Sequence, residues 1–125
     1  MFSHIMLGSN DLPASKAFYD ATIQALGGKP GRTDDKGRVS YMHNGGVFML
    51  SAPIDGAPAT HANGGTVGFA AATPEAADAW HAAGLANGGT AIEDAPGIRS
   101  NAFGSLYLAY LRDPSGNKVC ATCRM

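Results

Sequence analysis

The chain repeats itself. When "HIMLGSNDLPASKAFYDATIQALGGKP" is laid over "TVGFAAATPEAADAWHAAGLANGGTA", His4 falls on Thr66, Asp11 on Thr73 and Phe18 on Trp80, and Gly27-Gly28 falls on Gly88-Gly89 after one gap. An internal repeat constrains a fold strongly, because each copy is then one supersecondary unit that buries its apolar face against its neighbour. Each copy opens as a strand followed by a helix. In the first, Ile5 and Leu7 alternate with His4 and Met6, and Asp11 suits a helix N-cap. Pro13 is tolerated there because first-turn N–H groups have no intrahelical partner. In the second, Thr73 is the N-cap, Pro74 fits the first helical position, and Glu75 complements the positive end of the helix dipole. Both helices are expected to stop at their Gly-Gly pair, where a left-handed cap residue costs little.

The later parts of the two copies also match. "RVSYMHNGGVFMLSA" and "LYLAYLRDPSGNKVCAT" both read as strand, turn, strand, and placing Gly45 on Gly116 aligns Met49 with Cys120. Each copy is therefore expected to be a β-α-β-β-β module: module 1 over about residues 1–52 and module 2 over about 64–125, in a single domain. The stretch between them, about 53–63 within "PIDGAPATHANGG", is rich in Pro, Gly and Ala and has no periodicity, as a linker should. "EDAPGIRSNAFGS" has the same character and is expected to be a long loop of module 2 and a lid.

Strand parity sorts the side chains by face. Ile5, Leu7, Phe48, Leu50, Val67, Phe69, Val119, Ala121 and Cys123 form apolar sets suited to lie beneath the helices. The opposite faces carry His4, Met6, Met49, Ser51, Thr66, Cys120, Thr122 and Arg124. Such a mixed face on a curved sheet suggests a ligand cleft. The chain is long enough, at 125 residues, for a core without disulfides. A net charge of −1 with evenly spread charges provides no basic face for nucleic acid and no polybasic or amphipathic segment for a membrane. No apolar run reaches spanning length, and "MFSHIMLGSND" has no signal-peptide character. With two cysteines at the C-terminal end and no disulfide framework, a cytoplasmic protein is expected.

"HIMLGSNDLPASKAFYDATIQALG", the paired modules and the closing "YLRDPSGNKVCA" together resemble the vicinal-oxygen-chelate superfamily, which includes glyoxalase I, bleomycin-resistance proteins and extradiol dioxygenases. The resemblance covers nearly the whole chain. It implies an α+β fold of two β-α-β-β-β modules forming an open barrel-like cleft with helices outside, commonly completed by a homodimer. Metal-active members place a ligand on the first and last strand of each module, usually His or Gln first and Glu last. Carried over position by position, these are His4, Met49, Thr66 and Cys120, of which only His4 matches. A divalent metal is thus implied by the family, yet an imidazole, a thioether, a hydroxyl and a thiol are not the set such an ion takes. Only two of the four are ordinary zinc ligands, where a catalytic zinc usually keeps three.

Two functions stay open on this reading. One is a lactoylglutathione-lyase-like lyase or isomerase acting on a small carbonyl compound, with His4 as candidate metal ligand; ordinary glyoxalase I activity is not expected. The other is a metal-free protein that sequesters a drug-like or metabolite ligand. The ligand-binding candidates are His4, Met6, Met49, Thr66, Arg99, Phe103, Tyr107 and Cys120, with no residue singled out as catalytic. Arg99 and Phe103 enter because an Arg forks around carboxylates and an aromatic ring supplies contact area. Against these stand plainer roles. A thiol on an interior strand is more often a small hydrophobe than a nucleophile, and Cys120 and Cys123 face opposite ways, which rules out a redox pair. His81 belongs to the second helix, His43 and His61 to a turn and the linker, and Arg112 is expected to pair locally with Asp113.

Overall fold

The computed structural model describes all of residues 1–125. Module 1 runs β1 (Ile5–Gly8), α1 (Leu12–Ala25), β2 (Arg32–Thr33), β3 (Val39–His43) and β4 (Gly46–Ser51). Module 2 runs β5 (Val67–Ala70), α2 (Pro74–Ala86), β6 (Thr90–Ala91), β7 (Gly97–Asn101), β8 (Gly104–Arg112) and β9 (Lys118–Arg124). The α+β class and the two-sheet architecture are those expected. One element differs: Gly97–Asn101 is not a loop lid but a strand, paired antiparallel with β8 through Gly97–Leu108 to Asn101–Gly104. No helix is long and apolar enough to cross a membrane.

The repeat appears in detail. The Asp11 carboxylate accepts from the Ala14 N–H, and the Thr73 hydroxyl accepts from the Ala76 N–H, so the two aligned residues cap the two helices in the same way. Gly27 and Gly88 take left-handed φ values of 97° and 91° just past the helix ends. In sheet 1, ordered β1-β4-β3-β2, β1 lies parallel to β4 with Ile5 opposite Phe48 and Met6 opposite Met49. In sheet 2, ordered β5-β9-β8-β6 with β7 also on β8, β5 lies parallel to β9 with Val67 opposite Val119 and Gly68 opposite Cys120. The register of one module is thus the register of the other.

The modules share one core. Phe18 and Trp80, equivalent in the repeat, are both fully buried in a cluster that also takes in Tyr19, Ile23, Val39, Tyr41, Phe48 and Leu50 from module 1 and Ala77, Leu111, Val119 and Cys123 from module 2. The Tyr19 ring lies 4.7 Å from that of Phe48 and 6.2 Å from that of Phe69, carrying the aromatic stack across the junction. α1 and α2 pack directly on each other. Gly84 permits this approach: a Cβ there would stand 3.0 Å from the Phe18 ring and closer still to Leu111. No strand of one sheet pairs with a strand of the other, so no barrel closes.

Polar groups staple the same junction. The buried Asp113 carboxylate accepts from Tyr19 Oη at 2.7 Å and from Asn117 Nδ2 at 2.9 Å, and its other oxygen accepts the N–H groups of Ser115 and Asn117. Asn117 Nδ2 also donates to the Gly8 carbonyl, and Ser115 Oγ accepts from the Asn10 N–H. Burial, then the adjacent Asp113 charge and hydrogen bond, hold the Tyr19 hydroxyl well above its ordinary pKa. The expected Arg112–Asp113 pair does not form. Arg112 Nη1 instead donates to the Gly116 carbonyl at 2.7 Å, because Asp113 is turned inward to Tyr19.

Candidate functional site

Each sheet has one face beneath the helices and one turned away, and of the candidate site residues Met6, Met49, Arg99 and Cys120 lie on the second kind. Across sheet 1 a row of that face runs Met6, Met49, Ser40, Arg32. Met49 and Ser40 are half-buried, while Met6 keeps 42% of its surface exposed. His4 precedes β1, is exposed, and its Nδ1 lies 2.9 Å from Ser3 Oγ. At the end of this face, where β1 and β4 finish, a cavity of about 650 Å³ is lined by Met6, Lys36, Arg38, Ser51, Pro53 and Ile54, among others. The linker that supplies Pro53 and Ile54 is tied back to the chain after β1: Asn10 donates to the Ala59 carbonyl and accepts from the Ala59 N–H at 2.7 Å.

Sheet 2 presents Gly68, Cys120 and Tyr110 in one row and Ala70, Thr122 and Leu108 in the next. Cys120 is buried, with Sγ 3.5 Å from Thr122 Oγ1. The missing side chain of Gly68 leaves room for this thiol, since a Cβ at Gly68 would lie 3.3 Å from Sγ. Burial pushes the Cys120 thiol up, outweighing the Thr122 hydrogen bond and the Lys118 charge, with Glu93 adding to the rise. It is a neutral, soft group at physiological pH. Lys118 pairs with Glu93 and stands 5.0 Å from the Tyr110 ring centre, with the Arg99 guanidinium at 6.0 Å.

Several candidates sit elsewhere than a ligand would need. Tyr107 lies on the helix side, opposite Cys123 in register, and its hydroxyl donates to Asp78 of α2 at 2.7 Å. Arg99 is on the outward face, but its guanidinium is spent on main-chain carbonyls: Nη1 donates to Ala95, Gly97 and Leu108, and Nη2 donates to Asp94. Phe103 stands fully exposed at the tip of the β7–β8 hairpin, and Thr66 is exposed just before β5. The cavity over sheet 1 takes in Met6 and none of His4, Met49, Thr66, Arg99, Phe103, Tyr107 or Cys120. His43 is half-buried rather than exposed, with its Nε2 buried and unpartnered. Cys120 and Cys123 are free, on opposite faces of β9.

Sequence reasoning missed Lys36, Arg38, Pro53 and Ile54, which line the cavity, and Tyr110, Leu108 and Lys118, which surround Cys120. Parity along β8 could have found Tyr110 and Leu108, since alternate residues share a face. Nothing periodic marks Lys36 and Arg38, which follow a two-residue strand.

A family model of the Glyoxalase/Bleomycin resistance protein/Dioxygenase superfamily matches residues 1–121. The chain belongs to this superfamily. A crystal structure of a glyoxalase/bleomycin resistance protein from Albidiferax ferrireducens T118 is similar at 57% identity and TM-score 0.96, covering 99% of each chain. A superfamily enzyme from Burkholderia phytofirmans PsJN is 20% identical with TM-score 0.74 over 98% of each chain. A lactoylglutathione lyase from Agrobacterium tumefaciens is 22% identical with TM-score 0.67, covering 98% of this chain and 92% of that one; at such identities the likeness is one of fold. No protein of curated function matches the chain.

The divalent ion that the superfamily implies does not fit the residues present. Nowhere do three His, Cys, Asp or Glu side chains gather into a ligand cluster. Of the two ordinary ligand types at the four family positions, His4 is exposed beside sheet 1, while Cys120 is a buried thiol held protonated on sheet 2. A thioether and a hydroxyl, Met49 and Thr66, complete a set with no carboxylate to hold a hard ion or act as a base.

Proposed function

We propose that the protein binds a small organic ligand on the sheet faces turned away from the helices, without a metal ion, and sequesters it rather than transforming it. The observation that carries this reading is the replacement of the superfamily's carboxylate positions by Met49 and Cys120, which makes the face soft and apolar where a metal enzyme needs hard donors. A cavity of about 650 Å³ on that face supports it, being the size small-molecule sites have. The working form is a homodimer, in which a second copy covers part of the sheet face. Met42, 74% exposed on that face and outside the cavity, is an apolar group such a contact would bury. Two free, buried thiols suit a cytoplasmic setting.

The test is a thermal-shift screen of aromatic and aliphatic small molecules, with metal content measured on untagged protein and mass measured by light scattering. A ligand at a hundred times its dissociation constant adds about 2.7 kcal/mol of stability, which such a screen detects. Hits weakened by Met49→Lys, which sets a charge on the face, support the reading. Metal-dependent turnover of the methylglyoxal–glutathione hemithioacetal, abolished by His4→Ala, would establish a lyase instead.

A further inference from the structure

Resting on the small-molecule reading above, the structure also indicates what kind of molecule the sheet 1 cavity takes. Its lining divides into an apolar part, Met6, Pro53 and Ile54, and a cationic edge, Lys36 and Arg38. Ile54 is fully exposed and Met6 nearly half so, which is a large apolar surface to leave against water beside a cavity of that volume. The two cations come from the turn joining β2 to β3, which its own hydrogen bonds hold in shape. Asp34 Oδ1 accepts the N–H groups of Lys36 and Arg38, and the Gly37 N–H donates to the Asp34 carbonyl. Arg38 Nε donates to Asp34 Oδ2 at 2.8 Å, and neither terminal nitrogen of the guanidinium meets an acceptor in the chain. Lys36 enters no ion pair at all. Asp34 therefore offsets one of the two charges and leaves the fork of Arg38 and the ammonium of Lys36 unspent.

We propose that the ligand of this cavity is an amphiphilic monoanion: a carboxylate head bound by Lys36 and the outer nitrogens of Arg38, and an apolar body lying on Met6, Pro53 and Ile54. The chemistry matches on both sides, since a guanidinium fork takes a carboxylate through two parallel bonds and the partly exposed apolar wall gains from being covered. Arg99, the other arginine with reason to serve as an anion anchor, is excluded by its four carbonyl acceptors.

The experiment compares 4-phenylbutyrate with its neutral amide by titration calorimetry on the intact protein. The acid is expected to bind about ten-fold more tightly than the amide. Raising the salt concentration should weaken only the acid. Lys36→Gln, an exposed side chain whose loss leaves the turn intact, should weaken the acid about ten-fold and leave the amide unchanged, and Arg38→Lys should do the same while keeping charge but losing the fork. Equal affinities for acid and amide, or an acid indifferent to Lys36→Gln, overturn the anion assignment while the small-molecule reading stands. If neither compound binds at millimolar concentration although the thermal-shift screen gives hits, the assignment likewise fails alone; a screen with no hits removes both.

Discussion

Replacing Asp113 by alanine should cost this protein a large share of its stability. The carboxylate is 3% exposed and accepts four hydrogen bonds, from Tyr19 Oη, Asn117 Nδ2 and the main-chain N–H groups of Ser115 and Asn117. Alanine keeps the two main-chain bonds that close the turn, Asp113 N–H to Asn117 and Gly116 N–H to Asp113. It strands the side-chain partners, of which the Tyr19 hydroxyl and the Asn117 groups are buried. Each buried donor left without an acceptor costs about 1–3 kcal/mol, and the costs overlap, so a loss of roughly 3–5 kcal/mol is expected. For a domain whose whole stability is on the order of 5–15 kcal/mol, that is at least about a fifth. Tyr19→Phe removes only one of the four bonds, leaves the oxygen its Asn117 donor, and should cost about 1–1.5 kcal/mol. Urea unfolding followed by tryptophan fluorescence measures both through the fully buried Trp80, and the thermal midpoint should fall by roughly 10–20 °C for Asp113→Ala. If Asp113→Ala loses no more than Tyr19→Phe, the carboxylate is not the hub of the module junction and the reasoning is wrong.

Gly84→Ala should destabilise by about 1–3 kcal/mol despite alanine's better helix propensity, because the new methyl enters the contact with Phe18 and Leu111; equal or greater stability on calorimetry would refute the close approach. Burial by itself would raise the Asp20 carboxyl, but hydrogen bonds from Lys16, the Gly31 N–H and Tyr41 outweigh it and hold the group below its ordinary pKa. Its contribution is therefore full above the unfolded pKa of 3.8 and lost as pH falls through the lower folded value, so wild type and Asp20→Asn should differ most near neutrality and converge in acid; a difference that does not change with pH would exclude this carboxylate as the source. Cys120, buried and raised in pKa, should resist iodoacetamide in the native protein at neutral pH and react once the chain is unfolded in urea, as read by peptide mass spectrometry; prompt native labelling would show that the thiol is open and activated.

Most of the fold could be read from the repeat, because residues that must cap, pack and pair in one copy recur in the other. Asp11 and Thr73 cap alike, Phe18 and Trp80 fill the same place under their helices, and the parallel pairing of Ile5 with Phe48 recurs as Val67 with Val119. β7 was not legible. Gly97, Ser100 and Asn101 are poor strand formers, and the segment is extended because nine-residue β8 offers it a free edge. The Arg99 guanidinium then satisfies the carbonyls of the approach, Asp94, Ala95 and Gly97. A residue that looked like a ligand anchor is part of how that strand is held.

The site was harder, for a physical reason that the same repeat contains. Parity tells which face of its own sheet a side chain occupies, and it placed Met6, Met49 and Cys120 correctly on faces turned away from the helices. It cannot tell what stands opposite that face. Here α1 packs on α2 and the two sheets share one core, so repeat-equivalent positions such as Met49 and Cys120 belong to separate sheets. What each face can bind is then decided by its rim, and the rims are where the repeat fails: the Asp34–Arg38 turn beside sheet 1 has no counterpart in module 2, where β7 and the Glu93–Lys118 pair stand instead. Shared architecture with unlike rims leads to unlike chemistry on the two faces. Over sheet 1 there are an unpaired lysine and an arginine whose outer nitrogens are free, beside an apolar wall, and over sheet 2 a neutral thiol next to a tyrosine flanked by a lysine and an arginine that already have partners.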